Sequence, residues 1–241
     1  MPRNRKALIL FAKAPRAGGV KTRLQPFLTP EQTVRLYRAF INDTLALTSA
    51  LKGIVRRIAC DSGPSATRRD PFFSRLARRH RIGLMDQDGA DLGARMRRAF
   101  EQALAEGMDP VVIIGTDSPT LPALHIRMAF ETLRKVPAVL GPSTDGGYYL
   151  IGCSGGVPPV FENVDWGGGK VLAQTVERLN RHRIPHQMLP VWYDVDTLAD
   201  LLFLSEHLSY LKERRSGAIA KETARVLKGL KLRHQKPLGE F

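Results

Sequence analysis

Cysteine is nearly absent: only Cys60 and Cys153 occur in 241 residues. Two thiols exclude a disulfide framework and a paired-cysteine metal site, and they suit a reducing compartment. Long apolar runs are missing as well. None approaches the ~18 residues of a membrane-spanning helix, so no membrane span is expected. The one N-terminal candidate, Ala7-Leu8-Ile9-Leu10-Phe11-Ala12, follows basic residues but is ended by Lys13. It is shorter than the ~7–15 residues of a signal core and offers no small-residue cleavage site. It reads as a buried strand, and the expected setting is cytoplasmic.

Acidic residues are the minority: 23 Asp+Glu face 37 Lys+Arg, a net charge of +14. A surplus of that sign either draws in a polyanion or solvates the surface, and it informs on association rather than fold. The Arg pairs at 56–57, 68–69, 78–79 and 97–98 are scattered and not interleaved with aromatics, which are only 7% of the chain. A stacking platform for single strands needs that interleaving. No helix-turn-helix, zinc-finger or aromatic RNA-reading motif is found either. No nucleic-acid partner is expected.

What is present is ordinary for a globular protein, 43% hydrophobic and 25% charged residues. Strand and helix signals alternate almost to the end. Ala7–Ala12 is a continuous apolar run, the mark of a strand covered on both faces. Thr29-Pro30-Glu31-Gln32 opens a helix with a capping box and a proline in its first turn. Further strands are expected at 58–60, 82–85, 111–114, 138–140, 148–151 and 186–189. Helices are expected at 72–79, 91–106, 121–135, 171–180 and 198–211. This alternation argues an α/β fold, a mostly parallel sheet with helices on both faces. No repeat or linker divides the chain. The expectation is a single domain over 1–213 and a basic C-terminal helix and tail over 214–241.

In such sheets ligands sit beyond the carboxyl ends of the strands. After the first strand comes Lys13-Ala14-Pro15-Arg16-Ala17-Gly18-Gly19-Val20-Lys21-Thr22-Arg23-Leu24. Gly18 and Gly19 let a ligand approach the backbone, and Lys13, Arg16, Lys21 and Arg23 would neutralise a diphosphate. No G-x-G-x-x-G follows the strand, so this is not a Rossmann fingerprint. Gly167-Gly168-Gly169-Lys170 is not a P-loop, because Val171 stands where Ser or Thr would hold magnesium. After the strongest strand comes Gly115-Thr116-Asp117-Ser118-Pro119, where Asp117 could hold a hard divalent cation beside a diphosphate or simply cap a helix. Asp194-Val195-Asp196-Thr197 supplies further carboxylates, which point the same way if the segment is extended. Ser143-Thr144-Asp145-Gly146-Gly147-Tyr148-Tyr149 offers Asp145 as a base or hydroxyl ligand, or reads as an Asp-Gly hairpin turn.

These blocks, with Phe11 to Pro15, Gln87 and Asp91-Leu92-Gly93-Ala94-Arg95-Met96, resemble a DUF2064-like bacterial family over roughly residues 7–205. Its members are described as glycosyltransferases associated with radical-SAM and selenium-domain proteins. They belong to the nucleotide-diphospho-sugar transferases, with a three-layer GT-A-type fold on a mostly parallel mixed sheet. The resemblance implies that Lys21 and Arg23 face phosphates, with Lys13, Arg16, Gly18, Gly19 and Thr116 completing the nucleotide side. It implies that Gln87, Asp91, Leu92 and Arg95 lie near base and ribose, and that Mg²⁺ or Mn²⁺ sits on Asp117 and Asp196. Gly146, Gly147, Tyr148 and Trp166 are expected at the acceptor substrate, with Asp145 and Asp117 as catalytic groups. One departure is Trp166-Gly167-Gly168-Gly169-Lys170, where the family usually has a Ser-Thr pair after the Trp.

The implied reaction is glycosyl transfer from a nucleotide-diphosphate sugar to a small-molecule acceptor. The same residues would serve a nucleotidyltransferase joining an NTP to a phosphorylated small molecule, with Lys13 and Arg16 as the extra cations. A hydrolase reading rests on Gly152-Cys153-Ser154-Gly155-Gly156, but the nucleophile elbow needs an immediate helix and Val157-Pro158-Pro159 forbids one. Among the histidines, His182 and His186 flank Pro185, which excludes a shared helical metal face.

Overall fold

The structure is a computed structural model in which residues 5–61, 71–213 and 219–230 are described. Seven strands form one sheet: β1 (Arg5–Lys13), β2 (Ile54–Asp61), β3 (Gly83–Asp86), β4 (Met108–Ile114), β5 (Ala138–Pro142), β6 (Tyr148–Cys153) and β7 (His186–Met188). Their spatial order is β3-β2-β1-β4-β6-β5-β7. All neighbours pair in parallel except β6, which runs antiparallel to both β4 and β5. This is the expected mostly parallel mixed sheet.

Side chains of β1 show why the sheet needs cover on both faces. Leu8, Leu10 and Ala12 enter one apolar cluster and Ala7, Ile9 and Phe11 the other, because successive side chains of a strand alternate. The first cluster is covered by α1 (Pro30–Ser49), α2 (Pro71–His80), α4 (Ala123–Thr132), α6 (Leu198–Glu213) and α7 (Lys221–Gly229). The second is covered by α3 (Leu92–Ala105) and α5 (Val171–Arg181). Three layers result, as in the GT-A-type nucleotide-diphospho-sugar transferase fold. None of the described helices is long and apolar enough to cross a membrane.

Local chemistry sets the helix ends. Thr29 Oγ1 accepts from Gln32 N at 3.2 Å and Gln32 Oε1 accepts from Thr29 N at 2.8 Å, the expected capping box of α1. Asp91 Oδ1 accepts from Ala94 N at 2.8 Å and caps α3. The helix α4 is shorter than its apolar pattern suggests. It stops at Thr132, and the chain continues in turns, with Lys135 N and Val136 N donating to Thr132 O at 2.9 and 3.1 Å before Pro137.

Part of the basic C-terminal segment is built into the domain. Asp43 of α1 is buried and accepts from Glu222 N at 3.1 Å and Thr223 N at 2.7 Å, capping α7. Leu227 and Leu230 join the first cluster. Residues 231–241, where a loose tail is expected, and the Arg68–Arg69 pair lie outside the described residues.

The reversal of β6 matters most for the site. Its first residues, Tyr148 and Tyr149, start at the edge where β1 and β4 end. Its last, Cys153, pairs with Val111 and Ala138 at the opposite edge. Ser154 of the elbow-like motif therefore lies away from that edge, and no helix follows it directly.

Candidate functional site

At the carboxyl edge a cavity of about 400 Å³ opens over the ends of β1, β3 and β4 and the start of β6. Of the residues picked from the sequence, Lys13, Gly19, Lys21, Arg23, Gln87, Leu92, Asp117, Tyr148 and Asp196 line it. Asp194 and Tyr37 line it too.

Lys21 lies at the centre. The loop before it is anchored by Val20 and the turn after it by Leu24, both buried. Between these anchors Lys21 takes a left-handed backbone, with φ 50. Its ammonium is ion-paired with Asp117 Oδ1 and, at 2.9 Å, with Asp196 Oδ1. Beneath it lie the rings of Phe40 and Tyr37, at 5.5 and 5.9 Å to the centroids. Burial pushes the Lys21 pKa down, but the two carboxylates outweigh it and the net shift is upward. Burial acts the other way on Asp196, where Lys21 and then Arg23 and Lys13 hold the carboxyl below its usual range.

The two carboxylates are brought together by the backbone. Val195 N donates to Asp117 O at 3.0 Å, and the Val195 side chain is fully buried. Alternation then turns Asp194 and Asp196 together toward the cavity. Thr197 caps α6, accepting from Asp200 N at 3.3 Å, while Asp200 Oδ2 accepts from the Thr197 and Asp196 amides at 2.7 and 3.1 Å. That arrangement leaves the Asp196 carboxylate for the cation. Ser118 Oγ donates to Asp194 Oδ1, but burial dominates and, with Asp117 and Asp145 nearby, lifts the Asp194 pKa to about 7.

Several expected residues have their side chains engaged within the protein. Thr116 is buried and closes a relay in which Lys13 N donates to Tyr37 OH (2.9 Å), the Tyr37 hydroxyl meets Thr116 Oγ1 (3.0 Å), and Thr116 Oγ1 donates to Phe11 O (3.3 Å). It fixes the end of β1 and does not face the cavity. Arg95 is ion-paired with Asp61 at 2.7 Å and donates to Gly89 O, and Asp91 is committed to its cap. Gln87 lines the cavity, with its amide nitrogen spent on Ala59 O at 2.8 Å and Ala12 O at 3.2 Å. Trp166 packs on α3, where a Cβ on Gly93 would meet its ring at 2.4 Å. Arg16 and Gly18 are exposed and sit outside the cavity lining.

Asp145 belongs to the turn of the β5–β6 hairpin, as its Asp-Gly sequence allows. Its Oδ1 accepts from Ser143 Oγ and, at 2.9 Å, from Gly147 N. Gly146, with φ 87, is packed against another loop rather than open to a ligand: a Cβ there would lie 2.0 Å from Gly169 O. The three-glycine departure from the family pattern is thus the hairpin's packing partner.

Next to the hairpin lies a second hollow of about 510 Å³, lined by Thr144, Val191, Trp192, Tyr193, Asp200, Phe203 and His207. Trp192 and Tyr193 stack at 5.6 Å, and Phe203 meets Tyr193 edge-on at 4.8 Å. Tyr193 OH accepts from Thr120 Oγ1 and pairs with His207 Nδ1, each at 2.8 Å. Burial lowers the His207 pKa. No lysine or arginine is among the described residues lining this hollow.

Residues 44–168 match the family described as "Uncharacterized protein conserved in bacteria (DUF2064)". A crystal structure of a candidate nucleotide-diphospho-sugar transferase from Desulfovibrio desulfuricans G20 is 33% identical. The alignment covers 92% of this chain and 94% of that one, with a TM-score of 0.80. The chain belongs to this family. More distant structures share the fold alone. A nucleotidyl transferase from Methanothermobacter thermautotroptrophicus is 14% identical over 84% of this chain and 97% of its own, with a TM-score of 0.54. A cytidylyltransferase from Leptospira borgpetersenii is 15% identical over 98% and 99%, with a TM-score of 0.50. No curated protein matches the chain.

The donor set of this DUF2064 member suits a hard cation. Asp117 and Asp196 already hold one positive group with one oxygen each, and their side chains remain 43% and 40% exposed. Among the described residues no three His, Cys, Asp or Glu side chains are placed to hold a metal ion by themselves. Phosphate oxygens and water would therefore supply the other ligands, the usual arrangement for Mg²⁺. Tyr37 is the site residue that sequence periodicity conceals. Its spacing assigns it to the apolar face of α1, and nothing in the pattern marks its hydroxyl.

Proposed function

We propose that this protein is a metal-dependent glycosyltransferase, working in the cytoplasm, that takes a nucleotide-diphosphate sugar and transfers the sugar to an uncharged small-molecule acceptor. The observation that carries the reading is the open Asp117–Asp196 carboxylate pair, set among Lys13, Lys21 and Arg23 in a cavity at the strand ends. The likeness to the Desulfovibrio protein supports it. Bound Mg²⁺ or Mn²⁺ on Asp117 and Asp196 would supply charge stabilisation for the leaving diphosphate. Lys13 and Arg23 would bind the same oxygens from the basic loop, and Leu92 and Gln87 would flank the nucleoside.

In the transfer, the acceptor hydroxyl oxygen bonds to the anomeric carbon as the bond from that carbon to the diphosphate breaks. The hydroxyl proton passes to a carboxylate. Asp194 lines the cavity, whereas Asp145 sits in the exposed hairpin turn, so we assign the base to Asp194 and the positioning of the hairpin to Asp145. The aromatic hollow beside the hairpin would hold the acceptor. Among the described residues its one carboxylate wall is Asp200 and no lysine or arginine lines it, which suits a neutral ring and disfavours a phosphate.

One observation favours a second reading, nucleotidyl transfer: Lys13, Lys21 and Arg23 offer enough charge for a triphosphate. Thermal unfolding with UDP, GDP, CDP and ADP and the matching triphosphates, each with and without Mn²⁺, separates the two. A ligand at ~100 times its Kd stabilises by about 2.7 kcal/mol, a shift of a few degrees at this size. Metal-dependent stabilisation by one diphosphate, lost in Asp117→Ala, is expected. Stabilisation by triphosphates only, with pyrophosphate released on turnover, would establish the second reading instead.

A further inference from the structure

We propose that Asp117 and Asp196 form a shared cation seat, which the Lys21 ammonium fills in the empty enzyme and leaves when a divalent ion takes it. The inference rests on the metal-dependent reading above and adds what the ion must displace.

Three observations lead to it. The ammonium contacts Asp117 Oδ1 and Asp196 Oδ1, on the two carboxylates that would hold a metal, and the Lys21 side chain is only 3% exposed, whereas both carboxylates open to the cavity. An ion arriving on those oxygens meets a like charge at contact distance, so the two cannot share the seat. The lysine also has a second place to go. It lines the cavity together with Lys13 and Arg23, where the diphosphate would lie, and its ammonium lies over the Phe40 and Tyr37 rings. Val20 and Leu24 hold the backbone on either side, so the exchange is a side-chain rotation and not a loop movement.

The consequence is that the protein itself competes with the bare ion. Metal alone binds weakly, and a diphosphate that accepts the released ammonium makes the ion bind more tightly. Lys21 thus makes metal and donor enter as a pair.

The test uses Mn²⁺ alone, with free ion measured by electron paramagnetic resonance. Lys21→Met keeps an unbranched side chain in the same place and removes the charge. It is expected to tighten Mn²⁺ by at least about tenfold, within the usual range of site-to-site coupling. Lys21→Arg, which keeps the charge, is expected to bind Mn²⁺ as weakly as the wild type. In the wild type, amidination by methyl acetimidate followed by peptide mass spectrometry should find Lys21 protected without metal. With saturating Mn²⁺ it should react at least about tenfold faster. Unchanged or weaker Mn²⁺ binding in a folded Lys21→Met would overturn the proposal, and so would a Lys21 that stays protected while Mn²⁺ is bound. The wild-type labelling decides alone if Lys21→Met does not fold. If neither the wild type nor either variant binds Mn²⁺, the metal-dependent reading falls and this inference with it.

Discussion

The two halves of the sheet meet at β4 and β6 and build their shares of the site in different ways. On the β3-β2-β1-β4 side, the groups facing the cavity end or follow their strands: Lys13 at the end of β1 and Gly19 to Arg23 beyond it, Gln87 after β3, Asp117 after β4. On the β6-β5-β7 side they come from a hairpin and an extended segment stitched together over long range. Trp192 N donates to Pro142 O at 3.1 Å and Val195 N to Asp117 O at 3.0 Å. The first half supplies the cations, from a loop exposed over residues 16–19. The second carries carboxylates and aromatics and is packed backbone against backbone.

The largest effect should come from removing the Asp117 carboxylate. Asp117→Ala should lower transfer at least about a hundredfold, since charge stabilisation at a leaving group is worth several kcal/mol, and should abolish Mn²⁺-dependent nucleotide stabilisation. Glycine substitutions then test packing. Gly146→Ala puts a Cβ 2.0 Å from Gly169 O at φ 87, and should cost about 2–4 kcal/mol by urea unfolding. Gly18→Ala, at φ 76 with nothing within 4 Å, should cost only about 1 kcal/mol, the left-handed backbone term alone. Equal costs would erase the contrast.

The carboxylate side should also show in a pH profile. Asp194 has its folded pKa lifted to about 7 by burial, above its unfolded value near ~3.9. The folded state therefore holds the proton more tightly, and the protein loses stability as pH rises from about 4 to about 7. In metal-free protein, Asp194→Asn should gain up to a few kcal/mol at pH 8, shrinking toward zero by about pH 4. A gain that grows toward acid would contradict the sign. The smallest effect is expected at the hollow's rim. Phe203 is 55% exposed, so Phe203→Ala should move stability by no more than about 0.5 kcal/mol while raising the acceptor KM with kcat little changed.

This contrast also explains what the sequence discloses. Strand-end positions follow from strand signals, so Lys21, Asp117 and the fold class are legible from apolar runs and the residues next to them. The partner of a charge is not. Lys21 reads as a phosphate ligand by its loop, and only the Val195–Asp117 bond reveals that two carboxylates already surround it. The partners of Thr116 and Arg95 are hidden for the same reason: their hydrogen bonds run to Tyr37, Phe11 and Asp61, far away in sequence. The Asp-Gly turn, a short-range feature, is legible.

The reversed strand has a practical consequence. By entering β6 at the cavity and leaving it at the far edge, the chain gives Gly155 and Gly156, both exposed, a place remote from the chemistry. A reporter domain spliced between them would hang beneath the molecule like a handle. Immobilised that way, the protein would present its open mouth to solution, ready for surface-based titrations in which donor and acceptor are supplied in turn.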